Sequence, residues 1–170
     1  MIIRREKPSD FQEIHDLVKI AFQTAKVSNG NEQNYINSLR VSGNYIPELS
    51  LVAEEDTKLV GQIMLTKTCV TACGKFKFEA LLLAPLSVLI EYRKRGIGSE
   101  LVKKSFALAK KKGYRTVFVV GDPAFYSRFG FQSSALFGIR HIPPIPDENV
   151  MVRDIVPGAL AGVTGTVTFI

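Results

Sequence analysis

Cysteine and histidine are both scarce, with two of each in 170 residues. Cys69 and Cys73 stand four apart on one extended run, too far along a single strand to bridge. With His15 and His141 scattered, no four-ligand zinc set can be assembled. Both cysteines read as small apolar residues, and a disulfide-stapled secreted scaffold is excluded. Apolar runs are short: none reaches the roughly 18 residues a bilayer-spanning helix needs, and Ala80–Ile90 falls well below it. Met1–Glu6 lacks the apolar core of a signal peptide. Cytoplasmic localisation is expected, with no membrane partner. No Gly-Lys-Ser/Thr follows a glycine-rich turn, which removes a nucleotide-hydrolysing P-loop.

The remaining composition describes a globular chain, 46% hydrophobic and 22% charged, long enough for one domain over 1–170. A net charge of +6 favours polyanionic partners. The cations cluster at 93–95, 103–104 and 110–112, with neither a helix-turn-helix pattern nor interleaved exposed aromatics, so nucleic acid is not the expected partner. Lysines in a last helical turn suit the negative end of the helix dipole.

Strand and helix alternate along the chain. Ile2–Arg5 reads as a strand, and Pro8-Ser9-Asp10 opens a helix with Asp10 and Glu13 at capping-box spacing and Phe11, Ile14, Leu17, Val18, Ala21 and Phe22 on one face. His15 lies off that stripe. A second helix covers Glu32–Arg40, with Tyr35, Ile36 and Leu39 inward. Strands follow at Leu49–Glu54 and Leu59–Val70, with a hairpin at Gly74 and a return over Lys75–Val88. A helix from Gly96 to Lys112 ends at Gly113, Thr116–Val120 is a strand, and Asp122-Pro123 opens a brief helix through Arg128. Ala135–His141 is expected as a strand, the three prolines of Ile142–Asp147 bar a central one, and Val150–Ile155 and Thr164–Ile170 are extended. The order predicts a mixed α/β domain, one sheet layer with helices on its faces.

The most informative stretch is Arg93-Lys94-Arg95-Gly96-Ile97-Gly98, between an apolar strand (Glu79–Val88) and the amphipathic helix. The first amides of a helix have no intrahelical partner, and the dipole favours negative charge there. Two glycines uncover those amides and three cations crowd the turn, which predicts a phosphate site.

With Arg-x-x-Gly-x-Gly at 93–98 after its strand, and Tyr126-Ser-Arg-Phe-Gly130-Phe131 about thirty residues later, the chain resembles the GNAT superfamily of N-acetyltransferases. The likeness covers nearly the whole chain and is closest to a small bacterial branch with Gly-Asp-Pro-Ala-x-Tyr (121–126) and Val-Pro-Gly-Ala-Leu (156–160). It implies a mostly antiparallel sheet with a splayed strand pair, acetyl-coenzyme A as acetyl donor, and transfer to a primary amine of a small molecule or peptide. It further implies that amides from Arg93 to Ser99 (Arg93, Lys94, Arg95, Gly96, Ile97, Gly98, Ser99) hold the pyrophosphate. Backbone around Leu86, Ser87 and Val88 would face the pantetheine arm and the thioester carbonyl, with the bulge at Pro85. The Val88 N–H is the chosen donor to that carbonyl oxygen, and Tyr126 matches the family position of the acid that serves the departing thiolate. Many relatives carry asparagine where this chain has Val119; here Gly121-Asp122-Pro123 forms the strand exit, with Asp122 as a helix cap. No residue announces itself as general base: Glu32, Glu54, Glu79 and water stay open, as does the acceptor. The rival reading is a non-catalytic acyl-coenzyme A sensor on the same fold. Monomer and homodimer are both open, the apolar tail Ala159–Ile170 being a candidate for pairing with another subunit.

Overall fold

The computed structural model describes residues 1–72 and 76–169. The hairpin glycine Gly74, with Cys73 and Lys75, and the terminal Ile170 lie outside the described residues. Strand β1 is Ile2–Arg5, followed by helices α1 (Phe11–Phe22) and α2 (Glu32–Val41) and the long strands β2 (Tyr45–Glu55), β3 (Lys58–Ala72) and β4 (Phe76–Val88). Helix α3 (Ile97–Lys111), β5 (Thr116–Val120), the single-turn α4 (Pro123–Tyr126), β6 (Gln132–Ser133), β7 (Ile139–His141), β8 (Val150–Asp154) and β9 (Gly165–Thr168) complete the order. This is a mixed α/β fold with a mostly antiparallel sheet and flanking helices. Contacts divide it into two compact units, Met1–Thr66 with Ala84–Leu108, and Lys67–Leu83 with Ala109–Ile170.

In the first unit β1 pairs antiparallel with β2, and β2 with β3. One face of these strands carries Val52, Leu59, Met64 and the following Leu89, packed against Ile14, Leu17 and Val18 of α1 and Ile36 and Leu39 of α2. Each such side chain, fully buried, contributes roughly 1.5–3 kcal/mol. The other face receives α3 at Gly61, where an added Cβ would stand 3.1 Å from both Ile97 Cγ2 and Leu101 Cδ1. Glycine at 61 therefore sets how closely α3 approaches the sheet. Strand β2 begins four residues earlier than expected, because Pro47 falls inside a register shift between Tyr45 and Ser50, where no ladder donor is required.

The expected capping box sits one turn earlier. Pro8 opens a short 3₁₀ turn, so Asp10 serves Lys7: the Lys7 N–H donates to Asp10 Oδ2 at 2.7 Å and the Asp10 N–H returns to Lys7 O at 2.9 Å. Glu13 instead accepts the Leu59 N–H at 2.8 Å, tying α1 to β3. Arg4 grips both Asp10 oxygens at 2.7 and 3.1 Å and holds Glu54 at 2.7 Å. The hydrogen bonds from Arg4 hold the Asp10 carboxyl below the usual carboxylate range, burial opposing and the Lys7 amide assisting. A carboxylate depressed on folding stabilises fully above its unfolded pKa, near 3.9, and loses that contribution as pH falls through the folded value. Wild type is therefore expected to lose stability below about pH 4 more steeply than Asp10→Asn in denaturant titrations; parallel acid limbs would contradict this.

In the second unit β5 pairs antiparallel with β8, β8 with β6, and β9 joins both β3 and β7. The parallel β4–β5 ladder runs from Leu81 opposite Val117 to Leu83 opposite Val119. Ala135–His141 is not one strand: a 3₁₀ turn over Ser134–Phe137 and Gly138 at φ 71° precede the three residues of β7. The turn exposes Leu136, which the hydrophobic pattern had placed in a strand. The apolar tail is used within the chain, since Ala159, Leu160 and Val167 are buried and β9 finds both its partners here. No helix among the described residues is long and apolar enough to cross a membrane.

Candidate active site

The expected phosphate turn and the end of β4 lie together in the first unit. β4 ends at Val88, and the Leu89 N–H donates to Val60 O at 3.0 Å. Leu86 and Ser87 are buried, Val88 half-buried. A tight turn follows, in which the Arg93 N–H donates to Ile90 O at 3.3 Å. Lys94 and Gly96 take left-handed backbone, φ 61° and 81°, a conformation natural for glycine and uncommon for lysine. Helix α3 then starts, and its Glu100 N–H returns to Gly96 O at 3.0 Å. The amides of residues 94 to 99 find no carbonyl among the described residues. Those of residues 96 to 99 are the orphan donors a helix start leaves open, and those of 94 and 95 belong to the turn before it.

Gly98 sharpens that reading. Its backbone is not left-handed, and an added Cβ would touch only Val88 Cγ2 at 3.8 Å, an ordinary contact. No protein atom requires glycine there, while glycine in a helix costs about 0.5–1 kcal/mol relative to alanine. A bare Cα beside open amides suits a ligand that approaches the backbone closely. A phosphate group fits this set of donors.

The three cations of the turn do different work. Arg93 donates from Nε to Val88 O at 3.2 Å, from Nη1 to Thr24 Oγ1 at 2.7 Å and from Nη2 to Ala21 O at 2.7 Å. It ties the end of β4 to the last turn of α1, where a cation answers unsatisfied carbonyls. With its amide on Ile90, Arg93 holds the turn in place. No signal in the sequence could show this, because Ala21 stands 72 residues away. Arg95 donates to Glu55 at 2.7 Å and stacks over Tyr92. Only Lys94 of the three has an uncommitted side chain among the described residues.

Of the three carboxylates left open as base, Glu54 is occupied by Arg4, and Glu79 is exposed on β4. Glu32 accepts the Asn29 N–H at 3.0 Å through Oε1, while Oε2 is buried without a partner among the described residues. A cleft of about 320 Å³ lined by Phe11, Gln12, His15, Asn37, Arg40 and Val41 contains none of these groups.

Tyr126 belongs to the second unit. Asp122 caps its helix, Oδ1 accepting the Ala124 N–H at 2.9 Å, as the sequence suggested. The Tyr126 ring is met edge-on by Phe125 and Phe131, centroids 4.9 and 5.8 Å away. It rests on the backbone of Gly121, where an added Cβ would come within 2.3 Å of Cε2. The missing side chain at 121 is what admits the ring, a function not visible from the motif alone. The Tyr126 hydroxyl has no hydrogen-bond partner among the described residues, and burial drives its pKa up, keeping the phenol protonated at neutral pH. Gly121→Ala is therefore expected to displace the ring and lower kcat about 10-fold or more, with coenzyme A affinity retained. Unchanged steady-state kinetics would show the ring position to be irrelevant.

The acetyltransferase (GNAT) domain model matches residues 2–133. The uncharacterised N-acetyltransferase YhbS of Escherichia coli K12 is 31% identical over 170 residues, spanning 99% of this chain and 96% of that protein. YjhQ of the same organism, also an uncharacterised N-acetyltransferase, is 33% identical over 145 residues, spanning 83% and 75%. The crystal structure of E. coli YhbS in complex with CoA matches with a TM-score of 0.85 at 29% identity, over 99% of this chain and 89% of that one. A GNAT family acetyltransferase from Brucella melitensis in complex with acetyl-CoA matches with a TM-score of 0.78 at 27% identity, over 99% and 95%. With its open amides at the start of α3 and its Tyr126 signature, the chain belongs to the GNAT family of N-acetyltransferases.

Proposed function

We infer that this chain transfers an acetyl group from acetyl-coenzyme A to a primary amine of a small molecule or peptide, by direct attack in a ternary complex. The observation that carries the reading is the row of open amides at residues 94–99 beside a glycine, Gly98, that no protein contact requires. The CoA and acetyl-CoA complexes of its structural relatives support it.

In this reading the amides of Lys94, Arg95, Gly96, Ile97, Gly98 and Ser99 grip the pyrophosphate, Lys94 adds charge, and Arg93 fixes the turn. Main-chain groups of Leu86, Ser87 and Val88 receive the pantetheine arm. The bound donor supplies a thioester carbonyl and a sulfur leaving group. The Val88 N–H is directed to the carbonyl oxygen, where negative charge develops as the amine attacks. Tyr126 holds its proton at Oη and presents it to the departing sulfur. Because burial disfavours the phenolate, a strong hydrogen bond to sulfur is the main service expected of it. Cys69 has no place as an acyl carrier in this scheme: it lies on β3, opposite Thr168.

The test is release of free thiol from acetyl-coenzyme A with a panel of amines: peptides, polyamines and aminoglycosides. Thiol release that depends on the amine supports transfer. Tight binding of acetyl-coenzyme A with no release for any amine would favour a sensor.

A further inference from the structure

His141, at the end of β7, is nine-tenths buried, and both of its ring nitrogens face oxygen. Nδ1 lies 2.9 Å from Pro143 O, and Nε2 lies 2.9 Å from Asp147 Oδ1. A peptide carbonyl only accepts, and so does an ionised carboxylate. A neutral imidazole owns one N–H, so in that form one contact sets lone pair against lone pair. The imidazolium satisfies both.

These contacts close the segment 142–149. Pro143, Pro144 and Pro146 donate nothing, and the segment's own backbone bonds are Ile145 N–H to Pro143 O at 2.8 Å and Asn149 N–H to Pro146 O at 2.9 Å. Asp147 is held from two sides, its carboxylate by His141 and its carbonyl by Ser133 Oγ at 2.9 Å. Two residues on, Asn149 O accepts the Gly121 N–H at 2.9 Å. Gly121 is the residue whose bare Cα receives the Tyr126 ring. The path from His141 to Tyr126 stays within the second unit.

We propose that His141 is a positioning residue: as the imidazolium it latches segment 142–149, which through Asn149 fixes Gly121 and the seat of the Tyr126 ring. The part concerning turnover rests on Tyr126 acting as the acid. β9 and the Ser134–Phe137 turn, both packed on β7, carry no titratable side chain. The Asp147–Asn149 turn brings Asp147 and the exposed Glu148, and β7 itself adds the exposed Arg140.

The experiment is NMR on the full chain across about pH 5.5 to 8.5, the range in which histidines titrate. The His141 ring is expected to carry two N–H groups at the acid end. Intrinsic-rate-corrected amide protection of Gly121, Asn149 and Val150, whose N–H groups are bonded to or within the segment, should fall about 3- to 10-fold as the ring loses a proton. In His141→Gln, and in Asp147→Ala, whose side chain is largely exposed, that protection should be low and flat with pH. The ratio of wild-type to His141→Gln kcat, measured with one amine, should shrink toward one at high pH, with KM for acetyl-coenzyme A unchanged. A ring with a single N–H at about pH 5.5, or protection indifferent to its titration, overturns the latch. Protection that follows the ring with a pH-independent kcat ratio overturns the link to Tyr126. If Tyr126→Phe alone leaves kcat unchanged, the acid reading fails while the exchange data still judge the latch.

Discussion

Tyr126→Phe is expected to lower kcat by about 10- to 1,000-fold, the lower part of the general-acid range because thiolate release is a modest demand, while coenzyme A affinity stays within about 3-fold of wild type. The substitution removes one oxygen from a ring that Phe125, Phe131 and the Gly121 backbone hold in place. That oxygen has no hydrogen-bond partner to lose among the described residues, so the fold is not penalised. Thermal stability should therefore hold in the variant while turnover falls. Equal kcat in the two proteins would remove Tyr126 from the mechanism.

The second large effect is expected at Gly98. Replacing it by leucine should weaken coenzyme A binding at least about 100-fold by calorimetric titration, because one side chain would occupy the approach to several amides at once. The protein itself has room, since a Cβ there meets only Val88 Cγ2 at an ordinary distance. Gly98→Ala is the informative companion: helix propensity should raise stability by about 0.5–1 kcal/mol while affinity drops. Stability and binding thus move in opposite directions at a single position. Unaltered affinity in Gly98→Leu would refute the phosphate cradle.

The helices and long strands were legible in the order of residues because their hydrophobic periods are clean. Ile14, Leu17, Val18 and Ala21 recur at helical spacing, and all four are buried. Thr116–Val120 is a β-branched run and forms β5 with the predicted bounds. The glycine turn at 96–98 was legible for the same local reason: bare backbone at a helix start is a property of neighbours in sequence. Where local rules compete, spacing alone does not decide the outcome. Asp10 and Glu13 have capping-box spacing, yet Pro8 placed a 3₁₀ turn first, and Glu13 was claimed by the Leu59 amide 46 residues away.

Chain order put glycines at 96 and 98 around a helix start, which leaves the first amides of α3 without intrahelical partners. Tertiary structure decided which charges remain available to use them. Arg93 and Arg95 look alike beside Lys94 in the sequence, but folding commits one to the end of α1 and the other to Glu55. The same holds for Gly121, whose missing side chain acquires meaning only once the Tyr126 ring lies across it. Backbone exposure follows from local geometry, whereas the partner of a long side chain depends on which distant atoms packing brings within about 3 Å.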